Sequence, residues 1–496
     1  MDQVRELTLG EVLPGHDGLF YGGRWRKSAS TGSAPTFNPA TGKPLAEVAV
    51  ASPEDVDECI AEAGDGFREW SRTKPAERAD IMREMATIFR ANAPELAYLD
   101  SANSGNPARD MVNDVHMAAS WFDFYAGLVT EMKGHSIPFG PGSVTYSMRE
   151  PRGIVARIVA FNHPFMFSAG KMAAPLAAGN SVIVKPPEQA PLSSLRMAEL
   201  VGHLLPAGAM NILNGGRDVG QTLSEHPDIA MVTLVGSVPT GKAIMQSASS
   251  TLKPIILELG GKNALVAFPD ASPAKVAEAA IAGMNFGWCG QSCGSTSRLF
   301  LHDDIHDAVM AEILDRIARF EPGIPTEFST TMGSIINARQ YERVLGYIEK
   351  GKAQGATLAY GGVKPEDPAL ENGFFVYPAV FTGVTQDMAI ASEEIFGPVL
   401  SVLRWRDEAE MYRNVNAVDY GLTCSIWTND LHRAHRAASS VEAGYVWVNR
   451  VGTHFLGAPF GGYKQSGIGK ENCLQELLSF TREKNVHIEF DEEMIA

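Results

Sequence analysis

Cysteine is scarce in this chain of 496 residues: Cys59, Cys289, Cys293, Cys424 and Cys473 are odd in number and scattered. So thin a set argues against a disulfide framework and for a reducing, cytoplasmic setting. Cys289 and Cys293 resemble half of a metal knuckle, yet no Cys/His pair at suitable spacing completes it, so no metal is expected. Long apolar runs are missing, and none reaches the roughly 18 residues of a membrane helix. The opening Met1-Asp2-Gln3-Val4-Arg5-Glu6-Leu7 lacks a basic leader followed by an apolar stretch, so no export signal is expected. Basic clusters are lacking too, and a formal charge of −16 argues against a nucleic-acid partner. Two phosphate-binding signatures fail. Gly215-Gly216-Arg217-Asp218-Val219-Gly220 does not fit G-x-G-x-x-G. Gly236, Gly241 and Lys242 mimic a P-loop, but Ala243 stands where a magnesium-binding hydroxyl is required.

What is present is a globular composition, 45% hydrophobic and 20% charged, long enough for two or three domains. The first fifty residues read as an extended arm with turns. Ser52-Pro53-Glu54-Asp55 opens a helix, with Ser52 as N-cap and Pro53 at the first helical position. Val56, Ile60, Ala63, Phe67 and Trp70 form its buried face, and helical texture continues to about Met132. From Gly153 short apolar strands alternate with amphipathic helices: Ile154 to Ala160, Ser181 to Val184, Met210 to Leu213, Met231 to Val235 and Asn263 to Phe268. A second such series runs from Arg298 to about Val448. This alternation predicts an α/β fold of two parallel-sheet domains with a crevice between them. Ser143 to Met148 and Lys484 to Phe490 are β-prone segments whose edges need partners.

Six segments carry chemistry. Cys293 lies among Gly290, Ser292, Gly294 and Ser295, small residues that let a sulfur and its own amide approach a ligand, as a nucleophile requires. A buried structural cysteine is the bland alternative. Asn162 follows a predicted strand, where an α/β sheet binds its ligands, and could donate to an oxyanion or cap a turn. Lys185 and Glu188 sit just past another strand and could grip ribose hydroxyls. A carboxylate there repels a 2′-phosphate, which favours NAD over NADP. Gly236 and Ser237 start a helix whose amides can receive phosphate. Glu258, among apolar residues and glycines in Leu257-Glu258-Leu259-Gly260-Gly261-Lys262, should have a raised pKa suited to general-base work, unless a lysine pairs with it. Ser392-Glu393-Glu394-Ile395-Phe396-Gly397-Pro398 adds acids, an aromatic and a rigid turn.

Leu257-Glu258-Leu259-Gly260-Gly261-Lys262, Gly290-Gln291-Ser292-Cys293, Glu393-Glu394-Ile395-Phe396-Gly397-Pro398 and Pro459-Phe460-Gly461-Gly462-Tyr463-Lys464-Gln465-Ser466-Gly467 follow one another at spacings similar to the NAD(P)-dependent aldehyde dehydrogenase superfamily. The resemblance covers essentially the whole chain. It implies an NAD-binding domain (1–128 and 150–258), a catalytic domain (259–465) and a small β oligomerisation domain (129–149 and 478–496). It also implies a homodimer or homotetramer. By resemblance Cys293 is the nucleophile, Asn162 the oxyanion donor and Glu258 the base that activates the deacylating water. Lys185 and Glu188 match the adenosine-ribose contacts, Gly236 and Ser237 the pyrophosphate turn, and Glu394 and Phe396 the nicotinamide-ribose contacts. Lys171 and Glu471 resemble a proton relay; read alone they are surface charges.

The resemblance implies oxidation of an aldehyde to the carboxylic acid with NAD through a cysteine thiohemiacetal and thioester. Two alternatives remain open: an acylating enzyme that passes the thioester to coenzyme A, and a thiol hydrolase or esterase. Departures from the family cluster around the substrate. His163 follows Asn162, and glycine occupies positions 170, 287 and 294, which predicts a wider tunnel or else close packing. Met117, Trp121, Phe455 and Phe460 would line it, with His163, Arg450 and His454 as polar options. The expected substrate is a hydrophobic or aromatic aldehyde.

Overall fold

The computed structural model describes residues 7–30 and 32–490. The reading of Met1 to Glu6 as lacking a leader lies outside them.

Helix Pro53–Trp70 begins as its sequence dictates. Asp55 N donates to Ser52 Oγ at 3.2 Å, and Ser52 N donates to Asp55 Oδ2 at 2.9 Å, a reciprocal cap. Its buried face is Val56, Cys59, Ile60, Ala63, Gly66 and Trp70, while Phe67 is only half-buried. Helices Pro75–Ala91, Ala93–Ser104 and Ala108–Gly127 follow.

An eight-stranded sheet runs in the order Arg24–Arg26, Leu19–Tyr21, Met210–Ile212, Ser181–Lys185, Ile154–Ile158, Ile229–Val235, Ile255–Glu258, Gly467–Ile468. Its five central strands are parallel; the two at one edge and the one at the other are antiparallel. After Ile154–Ile158 the chain winds outward through Ser181–Lys185 and Met210–Ile212. It then returns to the opposite side of the starting strand with Ile229–Val235. The order therefore reverses between Ile154–Ile158 and Ile229–Val235, and the crevice beyond such a switch point is where α/β sheets hold ligands.

A second sheet of seven strands runs Thr357–Gly361, Ala379–Thr382, Val399–Trp405, Arg298–His302, Ala264–Ala267, Thr423–Trp427, Tyr445–Val448. All its pairs are parallel except that between the first two. Ala264–Ala267 thus belongs here and not with the strands that precede it. Both sheets are apolar along their central strands, as burial on two faces demands. A third, antiparallel sheet joins Thr481–Glu489, Ser143–Pro151 and Ser136–Ile137. Among the described residues no helix is long and apolar enough to cross a membrane. All five cysteines are free. No group of His, Cys, Asp and Glu among the described residues could hold a metal ion.

Candidate active site

The segment from Glu258 to Asn263 leaves the first sheet and enters the second, and it organises the crevice between them. At its start, Glu258 pairs across the edge with Gly467, and a Cβ on Gly461 would come within 2.8 Å of Glu258 Oε1. Further on, Gly261 N donates to Glu394 Oε1 at 3.0 Å, and a Cβ on Gly260 would collide with the same carboxylate. At its end, Asn263 Nδ2 donates to the carbonyls of Cys293 (2.7 Å) and Ser295 (3.0 Å), while Thr423 N donates to Asn263 Oδ1 at 3.0 Å. Six consecutive residues thus position base, nucleophile loop and Glu394.

The nucleophile loop is built from tight turns. Asn285, Cys289 and Gly290 all have positive φ. Gly290 is packed so closely on the Gly397 carbonyl that any side chain would collide with it. Cys289 is buried, its thiol directed at the Gly333 carbonyl, which makes it the structural member of the pair. Cys293 remains partly exposed. Burial, then the neighbouring Glu258 and Glu394 carboxylates, push its thiol up to about 12, against the opposing pull of Lys171.

Asn162 comes from the first sheet, in the turn after Ile154–Ile158. It is buried, and its carbonyl accepts from Asn106 Nδ2 at 2.7 Å. Its neighbours reach across the crevice: Phe161 meets Phe396 edge-on at 5.6 Å, and His163 meets Trp288 of the nucleophile loop edge-on at 4.7 Å. Asn162, Glu258 and Cys293 are therefore brought into one region from separate parts of the chain.

Glu258 is buried with neither carboxylate oxygen partnered, so the lysine-paired alternative does not hold. Burial and the nearby Glu471 hold its pKa well above the usual carboxylate range. Lys171 and Glu471, surface charges when read alone, are a buried ion pair. Lys171 Nζ also lies 4.4 Å from the Trp121 ring centroid. Arg157 extends the pair. Its guanidinium donates to the Lys171 carbonyl (2.5 Å), Thr233 Oγ1 (2.8 Å), Glu471 Oε1 (3.5 Å) and Glu476 Oε1 (3.1 Å). Tyr125 donates its hydroxyl hydrogen to Glu476, whose pKa burial and Glu471 also raise. Glu471 and Glu476 share the two buried cations, and Glu258, left without a partner, is where burial most disfavours the charged form. Arg157, Tyr125 and Glu476 escaped the sequence reading. Arginine inside the apolar run Ile154–Ile158 was the one available signal, since a charged group in a buried strand demands partners.

The crevice edge of the first sheet carries the other set. Lys185 ends its strand, buried, with Nζ donating to the Pro186 carbonyl at 3.0 Å; burial pulls its pKa down to about 8. Glu188 is exposed, and a Cβ on Gly216 would come within 2.8 Å of its Oε2. Gly236 N donates to the Glu258 carbonyl at 3.0 Å. Ser237 caps helix Val238–Ala248, which starts at the switch point. Phe396 adopts φ 57°, and Gln340 Nε2 donates to its carbonyl at 2.8 Å. Cation, exposed carboxylate, helix N-terminus and second carboxylate suit the ribose hydroxyls and pyrophosphate of a dinucleotide. Glu393, adjacent to Glu394, is taken up by Tyr347 (2.7 Å) and Lys350 (3.1 Å).

On the substrate side the glycines have different meanings. At Gly170 a Cβ would collide with the Trp121 ring, so this glycine reflects close packing rather than a wider tunnel. Gly287 faces Asp110 Oδ2, 3.0 Å from its would-be Cβ, whereas Gly294 is nearly open. His454 contacts Phe460 (4.8 Å), Trp447 and Tyr445. It is solvent-exposed, yet desolvation and the charges of Lys171 and His163 lower its pKa to about 4, the combination found in the wall of a concave site. Arg450 Nε donates to Thr453 Oγ1 at 2.8 Å. Met117 and Phe455 are exposed, and no ring contact ties Phe455 to the cluster.

The sequence profile described as "Aldehyde dehydrogenase family" matches residues 25–486. Aldehyde dehydrogenase tropH of Talaromyces stipitatus is 50% identical over 488 residues, covering 97% of this chain and 95% of its own length. An NAD+ complex of aldehyde dehydrogenase from Bacillus cereus superposes with a TM-score of 0.94 at 35% identity, covering 98% of this chain and 99% of that one. Betaine aldehyde dehydrogenase from Staphylococcus aureus in complex with NAD+ does so with a TM-score of 0.94 at 30% identity, covering 97% of each chain. With its two sheets, its crevice and its four motifs, the chain belongs to the aldehyde dehydrogenase family.

Proposed function

We propose that this enzyme oxidises an aldehyde to the carboxylic acid with NAD, with Cys293 as nucleophile. The observation that carries the reading is the joint placement of the Cys293 loop and Glu394 by the segment that begins with unpartnered Glu258. The Cys293 sulfur, once deprotonated, adds to the aldehyde carbon and forms a thiohemiacetal. The Asn162 amide and the Cys293 backbone N–H stabilise its oxyanion. Bound NAD supplies the two-electron acceptor that takes the hydride from that carbon. A thioester on Cys293 results, and Glu258 takes a proton from the water that hydrolyses it. Glu471, held by Lys171, would receive that proton from Glu258.

Lys185 and Glu188 would hold the adenosine ribose, Gly236 and Ser237 the pyrophosphate, and Glu394 and Phe396 the nicotinamide ribose. That relatives were solved with NAD+ supports a nicotinamide dinucleotide as the occupant. The exposed Glu188 carboxylate favours NAD over NADP. Met117, Trp121, His163, His454, Phe455 and Phe460 would form the aldehyde side, for a hydrophobic or aromatic substrate. The crevice divides nucleotide work (1–128 and 150–258) from catalysis (259–465). The segments 129–149 and 478–496, whose described part carries most of the third sheet, would join subunits into a dimer or tetramer, and the free cysteines suit the cytoplasm.

The test is Cys293→Ala with NAD and a panel of aldehydes. NADH formation should vanish while NAD binding, read by fluorescence titration, persists; substantial turnover refutes the nucleophile. Glu258 disfavours coenzyme A acylation, because a base aimed at water would waste the thioester. NADH production that depends on coenzyme A would reverse that preference. Ester cleavage without aldehyde oxidation would instead support a thiol hydrolase.

A further inference from the structure

Next to Asn162, one buried side chain keeps a free polar atom. His163 Nδ1 lies 2.7 Å from Asp114 Oδ2, and both side chains are more than nine-tenths buried. An ionised carboxylate only accepts, so Nδ1 carries the proton in this pair and Nε2 is left for another partner. Among the described residues Nε2 makes no hydrogen bond. The ring is wedged edge-on between Trp288 at 4.7 Å and Phe167 at 5.4 Å, so its orientation is fixed on both sides. Trp288 is five residues before Cys293. An oriented, unpartnered nitrogen held between two aromatic rings is a recognition element, because leaving it unpaired against a wholly apolar ligand is unfavourable.

We propose that His163, held by Asp114, hydrogen-bonds a hydroxyl group on the substrate, so that the enzyme selects aromatic aldehydes that carry a hydroxyl. The inference rests on the aldehyde-oxidising reading above and narrows its substrate. With Nδ1 turned to Asp114, Nε2 is the ring's remaining polar atom, and a hydroxyl can donate to it or accept from it, whereas a methoxy group lacks the hydrogen and adds a methyl. Trp288 and Phe167 supply the flat apolar surface for the ring. A site built to pair with a substrate hydroxyl discriminates against the analogue lacking it far more strongly than an apolar pocket discriminates by size.

The experiment compares kcat/KM for benzaldehyde, its three monohydroxy isomers and the matching methoxy isomers, in the unaltered enzyme and in His163→Phe. One hydroxy isomer should exceed both benzaldehyde and its methoxy counterpart on the order of tenfold or more. In His163→Phe that ratio should fall to near one. Comparing ratios within one enzyme cancels any general loss of activity. If His163→Phe does not fold, His163→Leu, which also removes the polar atom, serves, and its ratio should likewise collapse. Equal values across the unaltered enzyme's panel, or a hydroxyl preference that survives the substitution, would overturn the proposal while leaving aldehyde oxidation intact. NADH from none of these compounds, nor from aliphatic aldehydes, would overturn the oxidation reading itself and this inference with it.

Discussion

At the residue scale the site is governed by unfavourable burial. Glu258 makes no hydrogen bond or ion pair among the described residues, and the two carboxyl groups beside it, Glu471 and Glu476, already share Lys171 and Arg157. Its proton therefore leaves only as pH rises, because burial and Glu471 keep the pKa well above the usual range. If deacylation limits turnover, kcat should climb with pH above the usual carboxylate range, and Glu258→Gln should remove that limb. The same variant should keep a burst of NADH and then stall, visible in stopped-flow absorbance. Undiminished steady-state turnover would exclude Glu258 as the base. Asn162→Ala should lower kcat by about 10²–10³, the cost of losing one oxyanion donor. An unchanged kcat would remove its role.

At the scale of elements, the connection between the two sheets controls the nucleophile loop. Asn263 makes three hydrogen bonds that tie Cys293, Ser295 and Thr423 together. Asn263→Ala should cost roughly 1–3 kcal/mol, since buried carbonyls lose their donor. Its effect on kcat should exceed its effect on NAD affinity, because Cys293 shifts and the dinucleotide edge does not. Thermal melts and titrations separate the two; equal losses would mean that the loop does not depend on this anchor. His163 and Asp114 illustrate the same scale, joining a turn after one strand to the middle of helix Ala108–Gly127.

At the scale of the whole molecule, the third sheet leaves Thr481–Glu489 as a nine-residue edge strand. Ile137, Phe139, Val144, Met148, Ile488 and Phe490 are exposed on or beside it. A long edge with apolar side chains calls for a covering partner. Light scattering should find a dimer or tetramer, and a monomer at micromolar concentration would contradict the assignment of this sheet to assembly.

Local pattern was enough for much of the architecture. Ser52 followed by Pro53 specified a helix start, and the apolar runs at Ile154, Ser181 and Met210 specified strands, because capping and periodicity act between near neighbours. Motif order was enough for the aldehyde dehydrogenase family, and the glycines at 260, 261 and 290 stand where close approach excludes any side chain. Tertiary structure decided the rest. Only packing placed Trp121 over Gly170, so that of the two readings left open for this glycine, a wider tunnel or close packing, close packing holds. Only packing turned Lys171 and Glu471 inward to meet Arg157 and Glu476, and joined Asp114 to His163. These pairs lie tens to hundreds of positions apart in the chain. Their energies depend on distance and burial, which no stretch of adjacent residues encodes by itself.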